Sequence, residues 1–130
     1  MSVPAYKRSE SQMEFISKAR DLLKFTVSMC SKIPKKYTFY GVIHTYKLAQ
    51  SVLDQLLRAN SLNLKTYYQK RTELLDDALG DLACLSNHLE LIKTYITIED
   101  RYWVKWATLI GICERLIKGV KEKDKQRMGV

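Results

Sequence analysis

The side chains best placed to do chemistry in this 130-residue chain are its cations and the aromatic rings beside them. Lys32, Lys35 and Lys36 run straight into Tyr37, Phe39 and Tyr40, with Pro34 between them. A lysine or arginine holds a backbone phosphate while an adjacent ring stacks on an unpaired base. At roughly 100° per helical residue, Arg20 and Lys24 fall on the outer side of a first helical stretch, and Lys47 and Arg58 on that of a second. Arg101, Lys105 and Arg115 share an arc of about 80° on the last stretch. The candidate contact set is therefore Arg20, Lys24, Lys35, Lys36, Arg101, Lys105, Arg115 and Lys118. Taken singly, each is better explained as part of a solvated helix face. The functional argument rests on the collective excess, 22 Lys and Arg against 14 Asp and Glu for a formal charge of +8. Such a charge on a small domain favours polyanions, RNA or DNA, bound without reading their sequence.

Other chemistries find little support. The five glycines are scattered and form no phosphate-binding loop. The two histidines, His44 and His88, are preceded three residues earlier by Gly41 and Leu85, so the Glu-x-x-His pairs of di-iron bundles are absent. Each histidine reads as a surface or helix-interface residue. Cys30, Cys84 and Cys113 are odd in number and widely spaced, which fits buried reduced thiols better than disulfides or zinc. The expectation is a non-enzyme with no metal and no cofactor.

The charge is unevenly shared. Residues 1–60 carry 10 basic against 4 acidic side chains, residues 61–100 carry 4 against 7, and residues 101–130 carry 8 against 3. Glu73, Asp77 and Asp81 share the outer face of the third helical stretch, where nucleic acid would be repelled. One expectation is that this face packs head to tail on a basic face of another copy, a contact that closes into a ring when the rotation allows. The alternative is an ordinary acidic surface. Arg71, on the apolar side of the same stretch, either snorkels at the end of the bundle or reaches across that interface.

The elements that must position these groups are helices. Ser11 and Glu14 have capping-box spacing and open a helix to about Ser31, with an apolar stripe from Phe15 to Ile33. Pro34 forces a connection over Lys32–Thr38. A second helix runs from Thr38 or Phe39 to about Asn60 and buries Val42, Ile43, Tyr46, Ala49, Leu53, Leu56 and Leu57. The third spans about Lys65 to Tyr95 on Tyr68, Leu75, Ala78, Leu82, Leu85, Leu89 and Ile92, with a bend at Gly80. Thr97, followed by Glu99 and Asp100, caps a fourth helix that runs to about Val120. Residues 1–8 read as a flexible lead and residues 121–130 as a flexible basic tail. Short connections between long helices make neighbours antiparallel, so residues 1–130 are expected to form one all-α domain, an up-down-up-down four-helix bundle. No apolar run approaches the ~18 residues needed to span a bilayer. The start, MSVPAYKRSE, lacks the apolar core of a secretory signal, so a cytoplasmic location without membrane attachment is expected.

Over residues 12–122 the chain resembles a known family. The connection SKIPKKYTFYG, the segment LDQLLRAN and the closing CERLIKGVKE are similar to landmarks of the accessory variability determinants of diversity-generating retroelements, relatives of proteins encoded in ribosomal-RNA intervening sequences. Ile33, Pro34 and Lys35 occupy that family's phenylalanine-proline-lysine turn, with isoleucine in place of the aromatic. Lys36, Tyr37 and Phe39 approximate the residues that launch its second helix. Lys118, Gly119 and Val120 stand where the family closes on a double glycine and tryptophan. The resemblance implies a homopentameric ring of four-helix bundles that binds RNA and DNA. It also implies association with a retroelement reverse transcriptase, supporting mutagenic complementary-DNA synthesis from a template RNA. The rival expectation is a helical adaptor whose basic face docks an acidic protein. Nucleic-acid affinity that falls steeply with salt separates the two.

Overall fold

The structure, a computed structural model, describes residues 13–37 and 42–130. The 1–8 lead, the Ser11 cap, the start of the second helix at Thr38 or Phe39, and Phe39 and Tyr40 themselves lie outside the described residues. Four long helices account for nearly all the rest: α1 (Glu14–Lys32), α2 (Ile43–Ser61), α3 (Leu64–Lys93) and α4 (Asp100–Met128), with a single 3₁₀ turn at Lys35–Tyr37. No strand occurs among the described residues.

Each helix packs on its neighbours in sequence, and α1 packs on α4 to close the square. Neighbours are antiparallel. His44 meets His88 and Ser51 meets Asp81 across α2 and α3, while Phe25 meets Trp106 across α1 and α4. The core follows the three- and four-residue steps of the apolar stripes. Phe15, Ile16, Ala19, Leu22 and Met29 come from α1, and Leu75, Ala78, Leu82 and Leu85 from α3. Trp106, fully buried, donates its indole N–H to Thr26 Oγ1 at 3.0 Å, and the Thr26 hydroxyl donates to Leu22 O at 2.8 Å. The buried polar atoms of both residues thus find partners, as a dry interior demands.

Four expectations need correction. The buried face of α2 is Thr45, Ala49, Val52, Leu56 and Ala59, whereas Ile43, Tyr46 and Leu57 are more than a third exposed. The helix carries apolar residues around much of its girth, so two stripes compete; the one chosen places small residues against the neighbouring helices, where backbones can approach. Gly80 introduces no bend. The departure lies instead at Tyr67 (φ −122°, ψ 31°), in the first turn of α3, just after Asn63 caps the helix by accepting the Thr66 N–H at 3.1 Å. Thr97 stands outside α4, whose first turn follows Glu99 with no side-chain cap bond.

The fourth correction concerns the tail. KEKDKQRMGV does not fray at Gly119; α4 continues to Met128 and closes on Gly129, the only described residue with a left-handed backbone (φ 71°). Periodicity of apolar residues could not forecast this, because the anchors are charges. Asp124, almost fully buried, accepts from Arg71 Nε at 2.5 Å, and Lys121 pairs with Asp76. Arg71 also donates to Ala59 O at 3.0 Å, satisfying a carbonyl near the C-terminus of α2. One guanidinium thereby joins three helices.

Candidate nucleic-acid interface

The C-terminus of α1, the 3₁₀ turn and the N-terminus of α4 meet at one end of the bundle, because α1 and α4 are antiparallel neighbours. Pro34 ends α1 here, and the turn that follows presents Lys35 and Lys36 to solvent. Lys32 Nζ lies 5.0 Å from the centre of the Tyr102 ring, and the Arg101 guanidinium lies 4.8 Å from the same ring. Arg101 also donates to the Tyr102 hydroxyl at 3.1 Å and pairs with Glu99 at 2.9 Å, both carboxylate and guanidinium well exposed. Lys36 sits 5.0 Å over Tyr37, which packs on Tyr95 at 5.4 Å. Lys105 lies 4.9 Å over Phe25, and that ring meets Trp106 edge-on at 6.1 Å. Trp103 and Trp106 stack at 5.9 Å behind it.

The cations are therefore held over rings without being neutralised by them. An exposed cation–π contact contributes about 0.5–1 kcal/mol, and an exposed ion pair such as Arg101–Glu99 about as little. Stacking of a base on an aromatic ring is worth about 1–3 kcal/mol, so an arriving strand can displace these resting contacts. The rings hold Lys32, Lys36, Arg101 and Lys105 near their π-faces, an arrangement with room for a phosphate on the cation and a base on the ring.

Of the eight candidates, Lys35, Lys36, Arg101 and Lys105 belong to this end. Arg20 and Lys24 are exposed on α1, Lys24 next in sequence to Phe25 and Arg20 one turn earlier. Arg115 is exposed farther along α4. Lys118 is elsewhere: about 20 Å beyond Lys105 by helical rise, paired with Glu114 at 2.8 Å, and lining a groove between α3 and α4 with Tyr68, Thr72, Lys121, Glu122 and Lys125. The eight thus do not form one patch. Two contributors escaped the sequence-based set. Lys32 belongs to the basic run of the connection but not to the eight, and Tyr102 carries no local signal that singles it out; their meeting depends on how α1 and α4 pair, which no local pattern reveals.

The acidic face also divides. Asp81 turns toward α2 and accepts from Ser51 Oγ at 2.6 Å, and Arg71 is occupied inside the bundle. Glu73 and Asp77 remain exposed. Of the four residues expected at an oligomer contact, Asp81 and Arg71 therefore have partners within the bundle, and Glu73 and Asp77 are the two that face solvent.

The thiols and imidazoles lie apart from this end or beneath it. Burial pushes the Cys30 thiol up to about 11, and burial with the nearby Asp21 carboxylate does the same for Cys113. Cys84 is exposed. His44 and His88 stack nearly parallel at 5.6 Å across α2 and α3. No group of three His, Cys, Asp or Glu side chains gathers at metal-binding distance among the described residues. None of their helices is long and apolar enough to cross a membrane. The chain matches no protein-family profile, no curated protein and no solved structure.

Proposed function

We propose that this protein is a non-catalytic nucleic-acid-binding accessory protein that captures strands by charge and stacking. The observation that carries the reading is the convergence of Lys32, Lys36, Arg101 and Lys105 on the rings of Tyr37, Tyr102 and Phe25 at one end of the bundle. Phosphate contacts of this kind give affinity without sequence selection, which suits a protein that accompanies a polymerase along its template. Following the resemblance of its sequence, the polymerase is a retroelement reverse transcriptase, the ligand is its template RNA or the nascent complementary DNA, and the assembly is a homopentameric ring.

Fluorescence anisotropy with labelled single-stranded RNA and DNA tests the binding. For about six phosphate contacts, log affinity should fall against log salt with a slope near −4. The variant Lys32→Glu, Lys36→Glu, Arg101→Glu, Lys105→Glu should bind at least tenfold more weakly at unchanged helix content by circular dichroism. Unaltered affinity in that folded variant would exclude this end as the interface. Co-purification with the reverse transcriptase and light scattering of the isolated protein test the partner and the ring.

A second reading, a helical adaptor for another protein, draws on Val27, Ile43, Tyr46 and Leu57, apolar side chains each more than a third exposed on α1 and α2. It predicts no strand binding even at low salt.

A further inference from the structure

The chain has two histidines, one on α2 and one on α3. The antiparallel pairing of those helices brings them together: the centres of the His44 and His88 rings lie 5.6 Å apart, and their planes are 5° from parallel. The register is fixed two turns farther along the seam, where Ser51 donates to Asp81 at 2.6 Å. Thr45 and Ala49 on α2, with Leu85 and Leu89 on α3, are buried beside the pair. Both helices are thus anchored in the core while the imidazoles sit at the outer edge of the seam, His44 exposed and His88 half-buried. Among the described residues, no hydrogen bond or ion pair occupies either ring.

Neutral imidazole is the commonest metal ligand in proteins, and it suits zinc, nickel and copper. Two imidazole nitrogens, each about 2.0–2.1 Å from one tetrahedral ion, put the ring centres about 5 Å apart. The pair already stands near the spacing that chelation requires. What must change is orientation, because stacked parallel planes cannot both aim an edge at one ion. A turn of the exposed His44 ring about its terminal torsion supplies this, and that torsion is soft. Cys84 is exposed one turn before His88, but it does not complete a group of three ligands with the pair. Lys47, one turn beyond His44, is exposed and long enough to keep its ammonium group in water. Two protein ligands leave the other positions to water, which makes the site exchangeable, unlike a closed structural one.

We infer that His44 and His88 form a site, within one chain, for a divalent ion of the zinc, nickel and copper class. The inference stands apart from the nucleic-acid reading and does not depend on it. The ion ties the first turn of α2 to the last two turns of α3. It binds the folded chain more tightly than the unfolded one, in which the two rings are far apart, and so stabilises the bundle by mass action.

Calorimetric titration of zinc chloride into the untagged, metal-free full chain, at neutral pH in a non-chelating buffer, tests the site. The native protein should take up one ion per chain, and zinc should raise its urea midpoint. His44→Gln and His88→Gln should each weaken binding at least tenfold and abolish the rise in midpoint, with helix content unchanged by circular dichroism. Cys84→Ser should keep both. Binding that survives either histidine variant overturns the inference. So does binding lost with Cys84→Ser, which would make the thiol a ligand. An equimolar mixture of the two histidine variants should bind no better than either alone. Recovery in the mixture would place the ion between copies, in whatever oligomer they form, and the site within one chain fails. Native protein that takes up no zinc would show the rings to be a bare stack and end the inference, leaving the nucleic-acid reading untouched.

Discussion

Arg71 and Asp124 form a buried ion pair of a kind that costs most when broken by halves. Removing one partner leaves the other charge without compensation in a poorly solvated place. Asp124→Ala should therefore lower stability by about 3–5 kcal/mol in urea denaturation, whereas joint replacement with Arg71→Met and Asp124→Leu should recover much of that loss. Equal losses in the single and double variants would show that packing, not charge, is what the site supplies. The cysteines divide as sharply. Cys30 and Cys113, raised to about 11, are overwhelmingly protonated at pH 8 and should resist maleimide in the native protein, while exposed Cys84 should react. Both shifts run upward, so the folded thiols keep their protons where unfolded ones lose them. Stability should hold below pH 9 and decline between about 9 and 11, a decline that Cys30→Ser with Cys113→Ala should reduce. At this scale the sequence was informative about which cations face outward and uninformative about which meet. Arg101 and Lys105 could be placed on a common arc from helical geometry alone. The pairing of Lys32 with Tyr102, and the partners of Arg71 and Asp81, depend on contacts between helices.

The helices themselves were legible wherever apolar spacing set them. α1 and α3 bury nearly the stripes that their sequences predict, because their remaining faces are polar and leave one choice. α2 offered two overlapping stripes, and tertiary packing chose between them. The last turns of α4 are secured by Asp124 and by the pair between Lys121 and Asp76, side chains that a search for hydrophobic periodicity discards. Gly80 belongs to the same lesson. Its backbone stays helical, and a Cβ placed there meets nothing within 4 Å. Gly80→Ala should consequently raise stability by about 1 kcal/mol, as helix propensity dictates, with a matching rise in the urea midpoint. A fall would mean that α3 needs the glycine's freedom after all. Hydrogen exchange checks the end of α4: amides of residues 121–126 should be protected in the native protein and lose that protection selectively in Asp124→Ala.

Across the whole molecule, the clearest pattern is the distribution of charge along the bundle axis. Net charge does not say where the cations lie; the fold gathers Lys32, Lys35, Lys36, Arg101 and Lys105 at one end, spaces Arg20, Lys24 and Arg115 along α1 and α4, and sets Asp76, Asp77 and Asp81 on α3. Raising salt from low to moderate concentration should weaken strand binding while the folded fraction changes little, because the core of Trp106, Leu75, Leu82 and Ile117 is apolar and unscreened. Parallel circular dichroism and anisotropy titrations measure the two quantities on one sample. Concerted loss of both would show instead that the ionic contacts of Arg71, Asp124, Lys121 and Asp76 hold the entire fold rather than one end of it.

Both tryptophans lie in the first two turns of α4, with the Phe25 ring connecting Trp106 to Lys105. The molecule therefore carries its own optical label, and it carries it at one end only. A ligand settling on Lys105 should shift the ring beneath it and alter the indole emission, whereas one bound far along α4 should leave that emission unchanged. Comparing the native emission with the signal of a labelled strand would reveal whether the strand settles at this end, with no modification of the protein.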